Sequence, residues 1–222
     1  MKTTEELYLQ LVDIVRASVH ELENHPVASK LVDGTLAMDD YVFYLSQVVH
    51  QVCGSGPMLK AAGEELERRG RTRLAALFNL KSSEEDGHDL WALRDLEALG
   101  VDPSSVSDAP PSAPVLAYNA WTRYAVEHEP LAILGVAWTL EWFGCARAGR
   151  AAENLVKQRK IPRIESAVSF LRGHGAADMY HVQALANATL DVLDAKEAEA
   201  VVLSARVTAR LYLSFFERSG RV

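Results

Sequence analysis

The chain has 222 residues, enough for one large domain or two small ones with a substantial core. Apolar residues make up 49% and charged residues 24%, the balance of an ordinary globular protein; the net charge of −7, with no long Lys/Arg run, argues against nucleic-acid and anionic-membrane partners. No uncharged apolar stretch of about 18 residues is present to span a membrane, the acidic amphipathic start "MKTTEELYLQL" is no secretory signal, and Cys53 and Cys145, without a CxxC pattern, read as reduced core residues of a cytoplasmic protein.

The pattern is helical from end to end. "TEELYLQLVDIVRASVHELE" sets Leu7, Leu9, Leu11, Ile14, Val15 and Val19 near helical spacing after a Thr3/Thr4 cap. "HPVASKLVDGTL" predicts a short helix or turn ended by Gly34, and Asp39 or Asp40 starts a long helix that "GSGP" at 54 to 57 should kink or break. A further helix runs to Gly70, and the next extends from about Thr72 to Leu99. "VDPSSVSDAPPSAP" is the one clear loop, read as a surface crossover. Helices are predicted at about 114–127, 130–156, 162–192 and 195–218. With no β-alternation and no repeat, the expected architecture is all-α: a single-domain multihelical bundle over residues 1–222.

Three segments carry the chemistry. "SSEEDGHDLW" contains Glu85 and His88, an E-x-x-H pair whose members, three apart on the predicted helix, share a face and can reach one point. By itself this pair is weak, because a solvated acidic turn has the same composition. "HGAADMYHVQAL" contains His174, Asp178 and His181 at offsets of four and three, one stripe over two turns. Imidazole with carboxylate suits Fe, Mn or Zn better than Ca or Mg. In "PLAILGVAWTLEWFGCA", residues 130 to 146, Glu141 is the one charge in an apolar run. An unpaired ionised carboxylate is costly to bury, so Glu141 is paired (Arg123 and Arg147 are candidates), protonated or bound to metal. Together the segments supply three histidines and three carboxylates, a suitable set for two divalent ions within a bundle.

These residues resemble the haem-oxygenase-like diiron oxidases and oxygenases: a Glu and a His on an early helix, a Glu on a later apolar helix, then H-x3-D-x2-H. The early "HPVASKLVDGTLAMDDYVFYLSQVVHQV" is similar to the same superfamily, and the resemblance covers most of the chain. It implies a haem-oxygenase-like bundle that binds Fe(II), two ions per chain with Mn as the alternative, and uses O2 to oxidise a small metabolite such as an amino acid or fatty acid. The implied metal ligands and catalytic residues are Glu85, His88, Glu141, His174, Asp178 and His181, with Glu141 bridging. Some members place the first Glu farther upstream; here the position seven before His88 is Lys81, which cannot ligate, and Glu84 is the runner-up to Glu85. The resemblance also implies loose iron binding and is compatible with a homodimer.

The rivals are a metal-free enzyme of the thiaminase type or pyrroloquinoline-quinone-synthase type on the same fold, a non-catalytic binding protein, and a haem protein using His20 or His25. Other residues have blander expectations. His50 is weighed equally as cavity wall and as ordinary histidine. Trp121, Tyr124, Trp138 and Trp142 are expected in the core. Cys145, one turn after Glu141, is expected to be a packing residue rather than a nucleophile. Asp89 and Glu129 are candidate acceptors for the ligand histidines.

Overall fold

The first helix, α1 (Thr4–Asn24), buries Leu7, Leu11, Val12, Val15, Val19 and Leu22 along one face, as its 3.6-residue spacing requires. It belongs to a computed structural model that describes residues 4–175 and 193–217. Short α2 (Ala28–Val32) is followed by α3 (Met38–Val52) and α4 (Ser55–Arg68), and the chain breaks between these two at Cys53–Gly54. Then come α5 (Thr72–Glu84) and α6 (His88–Ala98). The expected single helix from Thr72 to Leu99 is therefore two. Gly87 adopts φ +80°, which a side chain would strongly disfavour, and it turns the backbone between them.

The Pro/Ser-rich segment is not simply a loop. Asp102 accepts from the Ser104 amide at 3.0 Å and Pro103 occupies the first turn, so α7 (Pro103–Asp108) forms within it. After α8 (Ala113–His128), a 3-10 turn (Pro130–Ala132) leads into α9 (Ile133–Phe143), a π-helical segment (Gly144–Ala148) and α10 (Gly149–Gln158). A second 3-10 turn (Ile164–Ser166) precedes α11 (Ser169–Gly175). The final described helix, α12 (Ala195–Ser214), starts with a capping box: the Glu197 amide donates to Asp194 and the Asp194 amide donates to Glu197, both at 2.8 Å. Among the described residues there is no strand, and no helix is long and apolar enough to cross a membrane.

Among the described residues two large apolar cores form, with a small cluster of Val19, Phe143 and Ala209 beside them. One joins α1, α4, α5, α8, α9 and α12 around Leu11, Phe78, Tyr118, Ile133, Trp138 and Phe215. The other joins α2, α3, α6, α10 and α11 around Leu36, Tyr41, Leu45, Leu96, Ile164 and Leu171. Helix α9 lies directly on α12: a Cβ on Gly135 would stand 2.2 Å from the Val201 carbonyl oxygen, so only glycine permits that approach. The Trp138 side chain is buried as expected, whereas Tyr124 is 53% exposed and Cys53 lies at the surface. Both departures sit near helix ends, where the apolar stripe runs out into solvent.

Candidate metal centre

Between the two cores lies a cavity of about 550 Å³. Its walls are mainly apolar and include Leu59 and Val136 from one core and Val48, Val52 and Phe170 from the other. Glu85, His88, Glu141 and His174 all face into it.

Glu85, His88 and His174 converge, with one potential donor atom from each within 4.8 Å of the others. Glu85 caps the C-terminus of α5 and His88 is the first residue of α6. The pair therefore meets across the Gly87 turn, not on one helical face as the three-residue spacing suggested. The His88 amide donates to the Glu85 carbonyl at 3.3 Å and fixes that turn.

The third member arrives on α11, whose position is set by α6. Asp95 is wholly buried on α6 and accepts three bonds at the start of α11: from the Ser169 amide at 2.8 Å, the Ser169 hydroxyl at 2.6 Å and the Phe170 amide at 2.9 Å. These satisfy amide donors that a helix N-terminus leaves open. The Ser169 hydroxyl also lies 3.2 Å from the Trp91 carbonyl oxygen. His88, Trp91 and Asp95 thus share one face of α6, so the helix that supplies one imidazole also grips the helix that supplies the other. Small residues allow the approach: a Cβ on Gly173 would stand 2.3 Å from the Trp91 ring, and one on Gly175 would stand 2.4 Å from the Gly149 nitrogen. Sequence reasoning misses Asp95. Its available signal is a carboxylate two turns after His88 on the same stripe.

The imidazoles are oriented differently. His174 Nδ1 lies 3.0 Å from the Phe170 carbonyl oxygen; as a donor there it leaves Nε2 as an acceptor for a ligand. Trp91 stacks on His88 with centroids 4.2 Å apart, and Phe170 lies 4.2 Å from the His174 ring. His88 Nδ1 is buried without a formed hydrogen bond, with Glu85 Oε2 at 3.5 Å. A buried nitrogen left open beside a carboxylate and a second imidazole is the donor arrangement a divalent transition metal completes. The residues present fit such an ion.

Electrostatics agree with the distances. The Glu85 carboxylate holds His88 above its ordinary pKa, and Glu141 and Asp89 add to this. Burial lowers His174. Burial pushes Glu85 up, but contact with His88, helped by His174 and Lys81, outweighs it and leaves the carboxyl below its usual value.

Glu141 is not sealed in the core. It is the charged residue that α9 turns to the cavity, with its side chain 24% exposed, and among the described residues its cationic neighbour is Lys81 Nζ at 3.9 Å. Neither arginine expected from sequence takes that role: Arg147 pairs with Glu23 at 2.5 Å, and Arg123 is at the surface. Glu84 points to Lys81 at 2.7 Å and is half exposed, so Glu85 is the one of the two glutamates in the cluster. Glu129 pairs with Arg69 and Lys196 and does not serve a histidine of the cluster. His50 and Cys145 do not line the cavity. Asp178 and His181 lie outside the described residues. The π-helical segment directly follows α9, and a Cβ on its Gly144 would stand 3.2 Å from the His174 carbonyl oxygen; π-bulges are frequent at functional sites.

The fold is shared with solved structures. A domain of unknown function with a haem-oxygenase-like fold from Shewanella denitrificans OS217 superposes with a TM-score of 0.79 at 17% identity, over 97% of this chain and 91% of that one. A TenA homologue from Pseudomonas syringae pv. tomato DC3000 gives 0.74 at 12% identity, over 97% and 94%. A TenA homologue from P. horikoshii OT3 gives 0.71 at 16%, over 95% and 96%. No curated protein matches the sequence. Residues 42–213 match the haem-oxygenase-type family described as iron-containing redox enzymes, and with more than half its length so matched the chain belongs to that family.

Proposed function

We propose that the protein is an O2-dependent non-haem diiron oxidase or oxygenase acting on a small metabolite. The observation that carries this reading is the convergence of Glu85, His88 and His174 at the wall of a largely apolar cavity of about 550 Å³. Family membership adds iron and redox chemistry in general terms.

Glu85, His88 and His174 would hold one ion. Glu141, with Asp178 and His181, would serve a second; these last two are assigned from sequence spacing. Bound ferrous iron would supply the electrons and the O2 chemistry that side chains lack. The protein's own contributions are separate. The Phe170 carbonyl sets the His174 ring through Nδ1. The Glu85 carboxylate lies beside the His88 ring and would offset the charge of the ion that both residues hold. Val48, Val52, Leu59, Val136 and Phe170 exclude water and cover the apolar part of a substrate. Near Phe216 the Tyr44 and Tyr212 hydroxyls lie 3.4 Å apart, and burial raises both pKa values, so the pair stays neutral, one hydroxyl donating to the other and one proton left for a polar group of that substrate.

The metal-free, thiol-based alternative finds less support, since Cys53 is exposed and neither cysteine lines the cavity. An anaerobic Fe(II) titration of metal-stripped protein, followed by exposure to O2, tests the proposal. Two irons per chain and O2 uptake with a transient visible absorption are the expected outcome. A folded sample that binds no iron would overturn it.

A further inference from the structure

Lys81 has no role that sequence spacing alone would assign to it. It sits on the last turn of α5, three residues before Glu84 and four before Glu85, and its side chain is 19% exposed. Its ammonium lies 2.7 Å from Glu84 and 3.9 Å from Glu141, and its charge also bears on Glu85. It lines the same cavity as the three-residue cluster. A fixed positive charge therefore already faces the one carboxylate that α9 offers to this cavity. Like charges a few ångströms apart in a partly buried site strongly disfavour one another.

We propose that Lys81 is a positioning residue of the metal centre: it holds Glu141 as a resident counter-cation and makes metal binding unequal. An ion at Glu85, His88 and His174 leaves the Lys81–Glu141 contact intact. Any further ion that uses Glu141 must take the carboxylate from Lys81 and accept the ammonium as a neighbour. The inference rests on the metal-binding reading given above and assigns Lys81 the control of its second step. The ammonium already pairs with Glu84 at 2.7 Å, so it keeps a partner when Glu141 is taken from it.

The test is equilibrium binding of Mn(II) alone to the full metal-stripped chain, with free Mn(II) counted by electron paramagnetic resonance. Wild type is compared with Lys81→Met and Lys81→Arg, and circular dichroism verifies that each variant is folded. The wild type should take one ion tightly and a second at least about tenfold more weakly, and Lys81→Met should narrow that gap by about tenfold or more. Lys81→Arg, which keeps the charge, should preserve the gap. A wild type that takes one ion where Lys81→Met takes two is the same result in stronger form. Two equal sites in wild type, or an unchanged or widened gap in Lys81→Met, would overturn the role of Lys81 while leaving the metal reading standing. An arginine variant that behaves like the methionine variant would also overturn it, because charge would not be the cause. A folded wild type that binds no Mn(II) and no Fe(II) removes the metal reading and this inference together.

Discussion

Two helix seams in this molecule are built on different physics. Where α9 crosses α12, Gly135 lets the backbones touch, Trp138 is fully buried, and the Thr139 hydroxyl donates to the Gly135 carbonyl at 2.8 Å. Where α6 meets α11, the contact is a buried carboxylate, a serine hydroxyl and a tryptophan laid against a glycine. The first seam holds mainly by shape and apolar burial, which have no preferred direction beyond fit, with one longer cross-helix bond from the Thr139 hydroxyl to the Ala205 carbonyl at 3.3 Å. The second holds by hydrogen bonds, which fix where a helix begins and which way it points. Directional contacts lie where two imidazoles must be aimed at one point, and non-directional ones lie where the bundle only has to close.

That contrast can be broken from either side. Gly135→Ala should have the largest effect on stability, about 3 kcal/mol or more, because its Cβ would press on the Val201 carbonyl and the Ala205 amide, backbone atoms that cannot rotate away. Urea unfolding reads the loss, and the fraction that remains folded should bind Mn(II) with wild-type affinity. Asp95→Asn should cost about 1–3 kcal/mol, since an amide cannot accept at both oxygens as the carboxylate does. Unlike Gly135→Ala, it should also weaken metal binding by about tenfold or more, through the displaced α11. If Asp95→Asn loses stability and keeps full metal affinity, α6 does not aim His174.

Gly173→Ala sharpens the same point at smaller cost. Its methyl would meet the Trp91 ring, so about 1–3 kcal/mol should be lost together with part of the metal affinity. The pH dependence should be gentler still. The Glu85 contact raises the His88 pKa, so in the metal-free protein its contribution to stability is present below the unfolded value and disappears as pH climbs through the folded one. A metal needs the neutral ring, so the gain in Tm on adding Mn(II) should grow between about pH 6 and 8 and then level off. A flat profile across that range would remove His88 from the ligand set. The smallest effect belongs to His50→Ala, which should leave metal binding unchanged because His50 lies off the cavity wall.

Part of this architecture is legible in the chain itself. The 3.6-residue spacing of Leu7, Leu11, Val15 and Val19 announces α1 because an amphipathic helix has to bury its stripe somewhere. Donor chemistry is equally local: imidazole and carboxylate select a class of metal wherever the fold carries them. Spacing singles out Glu85 and His88 but does not describe how they meet, since Gly87 separates their helices. Tyr124 reads as a core residue and lies outside, because a stripe near a helix end need not be covered.

The sequence by itself determined the helical class, the apolar faces and the kinds of atoms available to a ligand, because these follow from periodicity and side-chain chemistry within a few residues. Only the tertiary structure decided that Lys81 faces Glu141, that Arg147 turns away to Glu23, and that Asp95 grips α11. Those pairings join residues 60, 124 and 75 positions apart, and at such separations the partner is chosen by how helices pack rather than by anything local in the chain.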